Sequence, residues 1–321
     1  PRSTLFPYTT LFRSVLGQMS RADLIRCILL RPTVRLSSTD NNTGVVAEDM
    51  HNPLMNLYFT RDQSITTPRG HIICRMNSPQ RAAETDIIEL CYRHMGVEPV
   101  LRIEGEGRLE GGDYIPAGTV AFIGCGMRTN EEGIRQIMNV DAFGHDTIVV
   151  VKDNKRWQMQ MHLDTHFNII DRNLCTMVSS RLNAKPGEPE FGTCDVYVRE
   201  PGSQPYRLAQ SDVPFVEYLQ SKGYEIIPID EQDELHYANN YLTIAPRHIM
   251  AVAGQSDAYQ QRLKSAGVTV EWIELENLID GYGAAHCMTQ VLKRAVNNNQ
   301  TPRAIKMTKN KTKHKTKPQK Q

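Results

Sequence analysis

The chain has 321 residues, of which 40% are hydrophobic and 23% charged, a size and balance that suit a soluble globular protein with a substantial core. No run approaches the roughly 18 consecutive apolar residues that a membrane helix needs, and the seven cysteines form no CxxC pair, so no membrane partner, disulfide framework or structural zinc site is expected. The formal net charge of +1 hides an uneven distribution: residues 301–321 hold eight Lys/Arg and residues 1–14 hold two, with no acid in either, leaving 27 basic and 36 acidic residues, or −9, for residues 15–300. An acidic body is a poor nucleic-acid binder and suits a cationic small molecule. Unpaired cysteines in odd number fit a reducing compartment, so a cytoplasmic location is expected.

In chain order, residues 1–14, "PRSTLFPYTTLFRS", resemble the conceptual translation of a sequencing-adapter oligonucleotide. They are expected to be a library artefact, with no apolar core of a secretory leader. Residues 15–49 are expected to be a remnant of a helical and loop region: "SRADLIRCILL" reads as a helix and "SSTDNNTGVVAEDM" as a loop. From residue 50 to 295 the chain is patterned as one catalytic domain, and 296–321 reads as a basic, disordered tail.

Within 50–295 one unit recurs. Helices are predicted over 80–95, 130–139, 212–222 and 256–266, stopped by Gly96, Gly144, Gly223 and Gly267. Each is preceded by a short apolar strand ("HIICRM", "TVAFIG", "CDVYVR", "HIMAVA") and followed by a β-branched run. After each of those runs comes a polar cluster: "GRLEGGD", "MHLDTHF", "HYANNYL" and "GYGAAHC". An earlier cluster, "NLYFTRD", reads as the end of a further unit whose beginning is missing. Units that cannot bury their own apolar faces must stack or close on one another. If they close, every polar cluster faces one axis.

The clusters supply Asp62, Glu110, Asp113, His162, Asp164, Asn239, Asn240, His286 and Cys287. A metal is the first rival reading. The set lacks a compact motif such as HExxH and mixes hard with soft ligands, so no metal and no cofactor is expected. Covalent catalysis fits better: Cys287 as nucleophile, and His162 as proton shuttle oriented by Glu110. Asp62 and Asp164 would then grip a planar cation with forked donors, a guanidinium, whose charge also favours the thiolate. Asp113 reads as a structural turn acceptor, His166 as an outward strand residue and Met55 and Tyr58 as packing. His286 is left between a supporting role at the site and shaping of its loop.

Together "PLMNLYFTRD", "RLEGGD", "MHLDTHFNIIDRN" and "GAAHCMT" resemble arginine deiminase over about residues 50–292. The resemblance implies an α/β fold of the pentein type, a five-fold pseudosymmetric α/β propeller of strand–helix–strand units with its first unit incomplete here. It implies hydrolysis of L-arginine to L-citrulline and ammonia. Cys287 would form an amidino-thioether, His162 would be the general acid and base, and Glu110 its partner. Asp62 and Asp164 would bind the guanidinium, Phe59 would pack on the substrate, and Asn56, Arg81 and Arg128 would hold its α-carboxylate. Two arginines for a carboxylate favour arginine over agmatine, whereas "AAHCMTQ" and Tyr282 depart from the arginine deiminase loop. Agmatine deiminase, an amidinotransferase and a non-catalytic arginine-binding protein stay open as alternatives, as does a homo-oligomer.

Overall fold

A computed structural model describes residues 17–200 and 205–294. The adapter-like segment 1–14, the basic tail 296–321 and residues 201–204 lie outside the described residues. Helix α1 (Arg21–Leu30) starts at Ser20, whose hydroxyl accepts from the Asp23 amide. The segment read as a loop instead forms a hairpin of β1 (Pro32–Ser38) and β2 (Val45–His51), paired antiparallel from Pro32↔His51 to Ser38↔Val45. Both strands are exposed along their whole length, so their sequence carries no buried alternation by which to recognise them.

Four hairpin–helix–strand units follow. The first has β3 (Ser64–Thr67), β4 (Gly70–Ile73), α2 (Glu84–His94) and β5 (Leu101–Arg102). The second has β6 (Tyr114–Ala117), β7 (Val120–Cys125), α3 (Glu131–Asn139) and β8 (Thr147–Lys152). The third starts with β9 (Phe167–Asp171) and β10 (Leu174–Val178). An insertion follows, made of α4 (Ser179–Leu182), β11 (Thr193–Val198) and β12 (Arg207–Pro214), before α5 (Phe215–Ser221) and β13 (Glu225–Ile229) complete the unit. After α6 (Glu231–Leu235), the fourth unit has β14 (Leu242–Ala245), β15 (His248–Val252), α7 (Asp257–Ser265) and β16 (Thr269–Ile273); α8 (Glu276–Ile279) leads on to Cys287. In every unit the first two strands pair antiparallel and the strand after the helix pairs parallel to the second.

The repeat read from the sequence is therefore present, with one strand corrected. "CDVYVR" does not open the third unit. It is β11, which pairs antiparallel with β8 and widens the second unit's sheet to the order β12-β11-β8-β7-β6. The third unit's own strand is "LCTMV", β10. All four predicted stop glycines have positive φ, but at α3 the residue just past the cap is Asp141, itself at φ 55°, and Gly144 lies further on.

The core is built between units. One cluster joins Ile65 and Ile72 of the first to Tyr114, Ile123 and Ile148 of the second. A second joins Phe122 and Val149 to Phe167, Phe215 and Leu219, and a third joins Ile170 and Ile227 to Ile249 and Tyr259. The last segment then returns to the first unit. Arg61 N donates to Cys287 O at 3.1 Å, Gln290 Nε2 to Ser64 O at 2.6 Å, and His71 Nε2 lies 2.7 Å from Leu292 O. Among the described residues no helix is long and apolar enough to cross a membrane.

Candidate active site

Two tight turns carry the histidine and its carboxylate partner. After β5, Gly111–Asp113 form a single 3₁₀ turn with Glu110 extended ahead of it. A Cβ on Gly111 would stand 1.9 Å from the Arg61 carbonyl oxygen, and one on Gly112 would stand 2.7 Å from His162 Nδ1. The two glycines of "LEGGD" are thus explained by close approach: backbone runs against one, the histidine ring lies on the other. The second turn, Leu163–Thr165, starts at His162. Asp113 joins the turns, its Oδ1 accepting from Leu163 N at 2.9 Å and its Oδ2 from Thr129 Oγ1 at 2.6 Å. It is the structural acceptor the sequence suggests, and burial lifts its carboxyl to about 7.

With the turns locked together, His162 Nε2 stands 2.8 Å from Glu110 Oε2 and Nδ1 3.8 Å from Asp62 Oδ1. Burial alone would strip the proton from this ring. The facing Asp62, Glu110 and Asp113 outweigh it and raise His162 to about 10, so the imidazolium persists at neutral pH. Glu110 is fully buried and also accepts from Asn77 N at 2.9 Å. Asp62, Glu110 and His162 present ligand atoms within 4.8 Å of one another, the one such group among the described residues with the spacing of a metal site. Arg81 pairs with Asp62 there and Arg128 Nη1 lies 4.0 Å from Glu110 Oε1, so fixed guanidinium groups already supply positive charge to these carboxylates.

Cys287 is 3% exposed and its Sγ lies 3.7 Å from Asp164 Oδ2, which also meets His286 Nδ1 at 2.6 Å. Burial, then Asp164 and Asp62, push the Cys287 thiol well above the ordinary cysteine range. Asp62 is held below the usual carboxylate range: burial would raise it, but His162 and Arg81 prevail. Each aspartate keeps one buried oxygen, Asp62 Oδ1 and Asp164 Oδ1, without a hydrogen-bond partner among the described residues. Buried carboxylate oxygens are costly to leave unpaired. A donor-rich cation entering here would satisfy both.

The remaining sequence-predicted residues are placed as follows. Phe59 is buried against the cysteine loop; a Cβ on Gly283 would meet its ring at 2.4 Å and Cys287 Cβ at 2.9 Å. Asn56 is half-buried, its amide donating to Glu84 Oε1 at 3.2 Å. Arg81 is not a free cation: Nη1 donates to Asp62 Oδ2 at 2.7 Å and Nη2 lies 2.9 Å from Glu84 Oε2. Arg128 donates from Nη2 to Gln158 Oε1 at 3.3 Å and keeps a buried, unpartnered Nε. His166 does not face outward; it is buried, with Nδ1 unpartnered, and burial carries its pKa far down. Met55 and Tyr58 are exposed, although Tyr58 stacks on Phe59 at 4.1 Å between ring centroids. Tyr282, which departs from the arginine deiminase loop, adopts φ 68°, a backbone region that favours glycine.

Three residues were assigned no role by the sequence. Glu84, fully buried, collects Arg81, Gln63 Nε2 and the Asn56 amide. Arg61, also buried, donates from Nε to His286 O at 3.1 Å and from Nη2 to Thr289 Oγ1 at 3.0 Å. Asn240 Oδ1 accepts from Ala284 N at 3.0 Å and Cys287 N at 3.2 Å. Arg61 and Asn240 each left a signal, as members of the polar clusters "NLYFTRD" and "HYANNYL"; Glu84 left none.

A family model described as arginine deiminase matches residues 8–294. The arginine deiminase of Halobacterium salinarum is 28% identical over 338 aligned positions, covering 80% of this chain and 68% of that protein. The arginine deiminase of Latilactobacillus sakei is 27% identical over 264, covering 75% and 62%. The chain thus spans about two thirds of the length of these relatives. Among solved structures, a dimethylarginine dimethylaminohydrolase adduct superposes with a TM-score of 0.52 at 24% identity, covering 72% of this chain and 76% of that one. An arginine dihydrolase from the ornithine–ammonia cycle in cyanobacteria superposes at 0.56 and 16% identity, covering 74% and 32%. At such identities these structures speak to the α/β fold alone. The family match takes in all four repeat units and the turns that carry Asp62, Glu110, His162 and Cys287, and the chain belongs to the arginine deiminase family.

Proposed function

We propose that the protein hydrolyses L-arginine to L-citrulline and ammonia through a covalent intermediate on Cys287. The observation that carries this reading is the pair of buried oxygens without a hydrogen-bond partner, Asp62 Oδ1 and Asp164 Oδ1, beside a buried thiol and a histidine held by Glu110. A guanidinium spanning the two aspartates brings a positive charge to Cys287 and lowers its pKa, releasing the thiol proton to solvent. The thiolate attacks the guanidinium carbon. His162 donates its proton to a terminal nitrogen, which leaves as ammonia and yields the amidino-thioether. The now neutral His162, held by Glu110, takes a proton from water as that water attacks the same carbon. Collapse expels the thiolate and leaves the urea oxygen of citrulline. A structure of similar fold, a dimethylarginine dimethylaminohydrolase from Pseudomonas aeruginosa, is complexed with citrulline. The same likenesses support a reading of the fold as a five-fold propeller in which the four hairpin–helix–strand units are blades.

The full chain incubated with arginine should release citrulline and ammonia in equal amounts, and Cys287→Ala should abolish both. Citrulline production unchanged by that substitution overturns the mechanism. One observation favours a second reading: Arg81 is committed to Asp62 and Glu84, which leaves only Arg128, itself near Glu110 and bonded to Gln158, of the two arginines expected to grip an α-carboxylate. A substrate without that carboxylate, agmatine, needs no such grip. A higher kcat/KM for agmatine than for arginine would select it.

A further inference from the structure

Beside Arg61, which holds the carbonyls of His286 and Cys287, Asn240 holds the amides of the loop bearing Cys287. Asn240 Oδ1 accepts from the amides of Ala284 (3.0 Å) and Cys287 (3.2 Å), and its main-chain oxygen accepts from the amide of His286 (3.0 Å). Two backbone donors on one side-chain atom fix which end of the carboxamide is oxygen. The other end, Nδ2, is buried and has no hydrogen-bond partner among the described residues, on a residue only 1% exposed. The neighbouring Asn239 is satisfied by contrast, donating to Asp164 O at 3.3 Å and accepting from Thr176 Oγ1.

A buried amide donor without an acceptor is costly to leave unpaired. Here the group that gains acceptor strength is the sulfur of the residue that Asn240 already holds. We propose that Asn240 is the positioning residue for the nucleophile: Oδ1 fixes the loop from Ala284 to Cys287, and Nδ2 donates to the Cys287 sulfur once it is a thiolate. The proposal rests on the reading of Cys287 as nucleophile. The electrostatics agree in direction. Burial, Asp164 and Asp62 push the thiol up, and the Asn240 side chain and the Ala284 backbone amide pull it down. The other groups that bear on this sulfur are Arg61, Tyr58 and Tyr237, with His286 packed on Asp164.

The test uses the full chain without substrate: the pH dependence of iodoacetamide alkylation at Cys287, followed on its peptide by mass spectrometry. It compares the parent with Asn240→Ala and Asn240→Asp. The aspartate keeps the acceptor for both amides and so preserves the loop if the alanine variant fails to fold. The expected result in Asn240→Ala is an alkylation midpoint at least one pH unit higher, at least tenfold slower labelling below it, and a kcat loss that exceeds any change in KM; Asn240→Asp, whose carboxylate raises the thiol by itself, is read by the same kcat loss with the loop intact. A merely structural role predicts the opposite sign, since a loosened loop exposes the thiol and lowers its pKa toward the ordinary value near 8.5. A midpoint that falls or stays put overturns the proposal. Because alkylation needs no turnover, this outcome is separate from failure of the arginine reaction, which the citrulline assay reads.

Discussion

His162 Nε2 and Glu110 Oε2 lie 2.8 Å apart although the residues are 52 positions apart in sequence and sit on turns that end different repeat units. The contact forms because equivalent points of successive units face one another, and because Gly112 leaves room for the ring. Glu110→Gln keeps an oxygen for the Asn77 amide but removes a charge that holds the proton on His162. By the usual scale of acid–base assistance, kcat should fall about 10²–10⁴-fold with little change in substrate affinity. Steady-state kinetics check this, with retained structure established by circular dichroism.

Gly112→Ala should impair the same pair by crowding. Its Cβ would stand 2.7 Å from His162 Nδ1. The ring must tilt away from Glu110, so activity should drop by at least tenfold and stability by ~1–3 kcal/mol. Gly192→Ala is the matched control: the nearest atom to its Cβ is Phe215 Cβ at 3.8 Å, and it should stay within about 0.5 kcal/mol of the parent.

The histidine also predicts a pH dependence of stability. Its folded pKa, about 10, lies above the free value of about 6.5, so the folded chain holds the proton more tightly. The stabilisation is therefore fully present below about 6.5 and is lost as pH rises through about 10. The difference in melting temperature between the parent and His162→Gln should shrink over that window. A constant difference would show that His162 is not the titrating group.

Arg81 supports two predictions at once. Its guanidinium compensates Asp62 at 2.7 Å and the fully buried Glu84 at 2.9 Å. Arg81→Leu strands both carboxylates and should destabilise the fold by ~3–5 kcal/mol. It should also depress turnover of arginine and agmatine alike, because in the proposed mechanism Asp62 serves the guanidinium end common to both. If Arg81 instead held only the α-carboxylate, agmatine turnover would survive.

The repeat was legible because three local signals recur in register: an apolar strand, a helix and a glycine stop. The acids, His162 and Cys287 stood out because polar residues broke the apolar pattern at equivalent points. What the sequence hid is non-local. β11 has a strand's composition wherever it pairs, and only the fold shows that it joins β8 rather than α5. From sequence, Arg81 is assigned only to an α-carboxylate, since nothing local reveals that Asp62 and Glu84 converge on it. The exposed β1–β2 hairpin buries no face and so leaves no alternation to read.

The central claim is that Cys287 bonds to the guanidino carbon of the substrate. Rapid acid quench of the full chain with arginine, followed by peptide mass spectrometry, tests it directly. The account predicts that the Cys287 peptide gains the mass of arginine less ammonia, that the label is kept when the guanidino carbon is isotopically marked, and that no adduct forms in Cys287→Ala. Citrulline formed at full rate without such an adduct, or with the adduct on another residue, would contradict it.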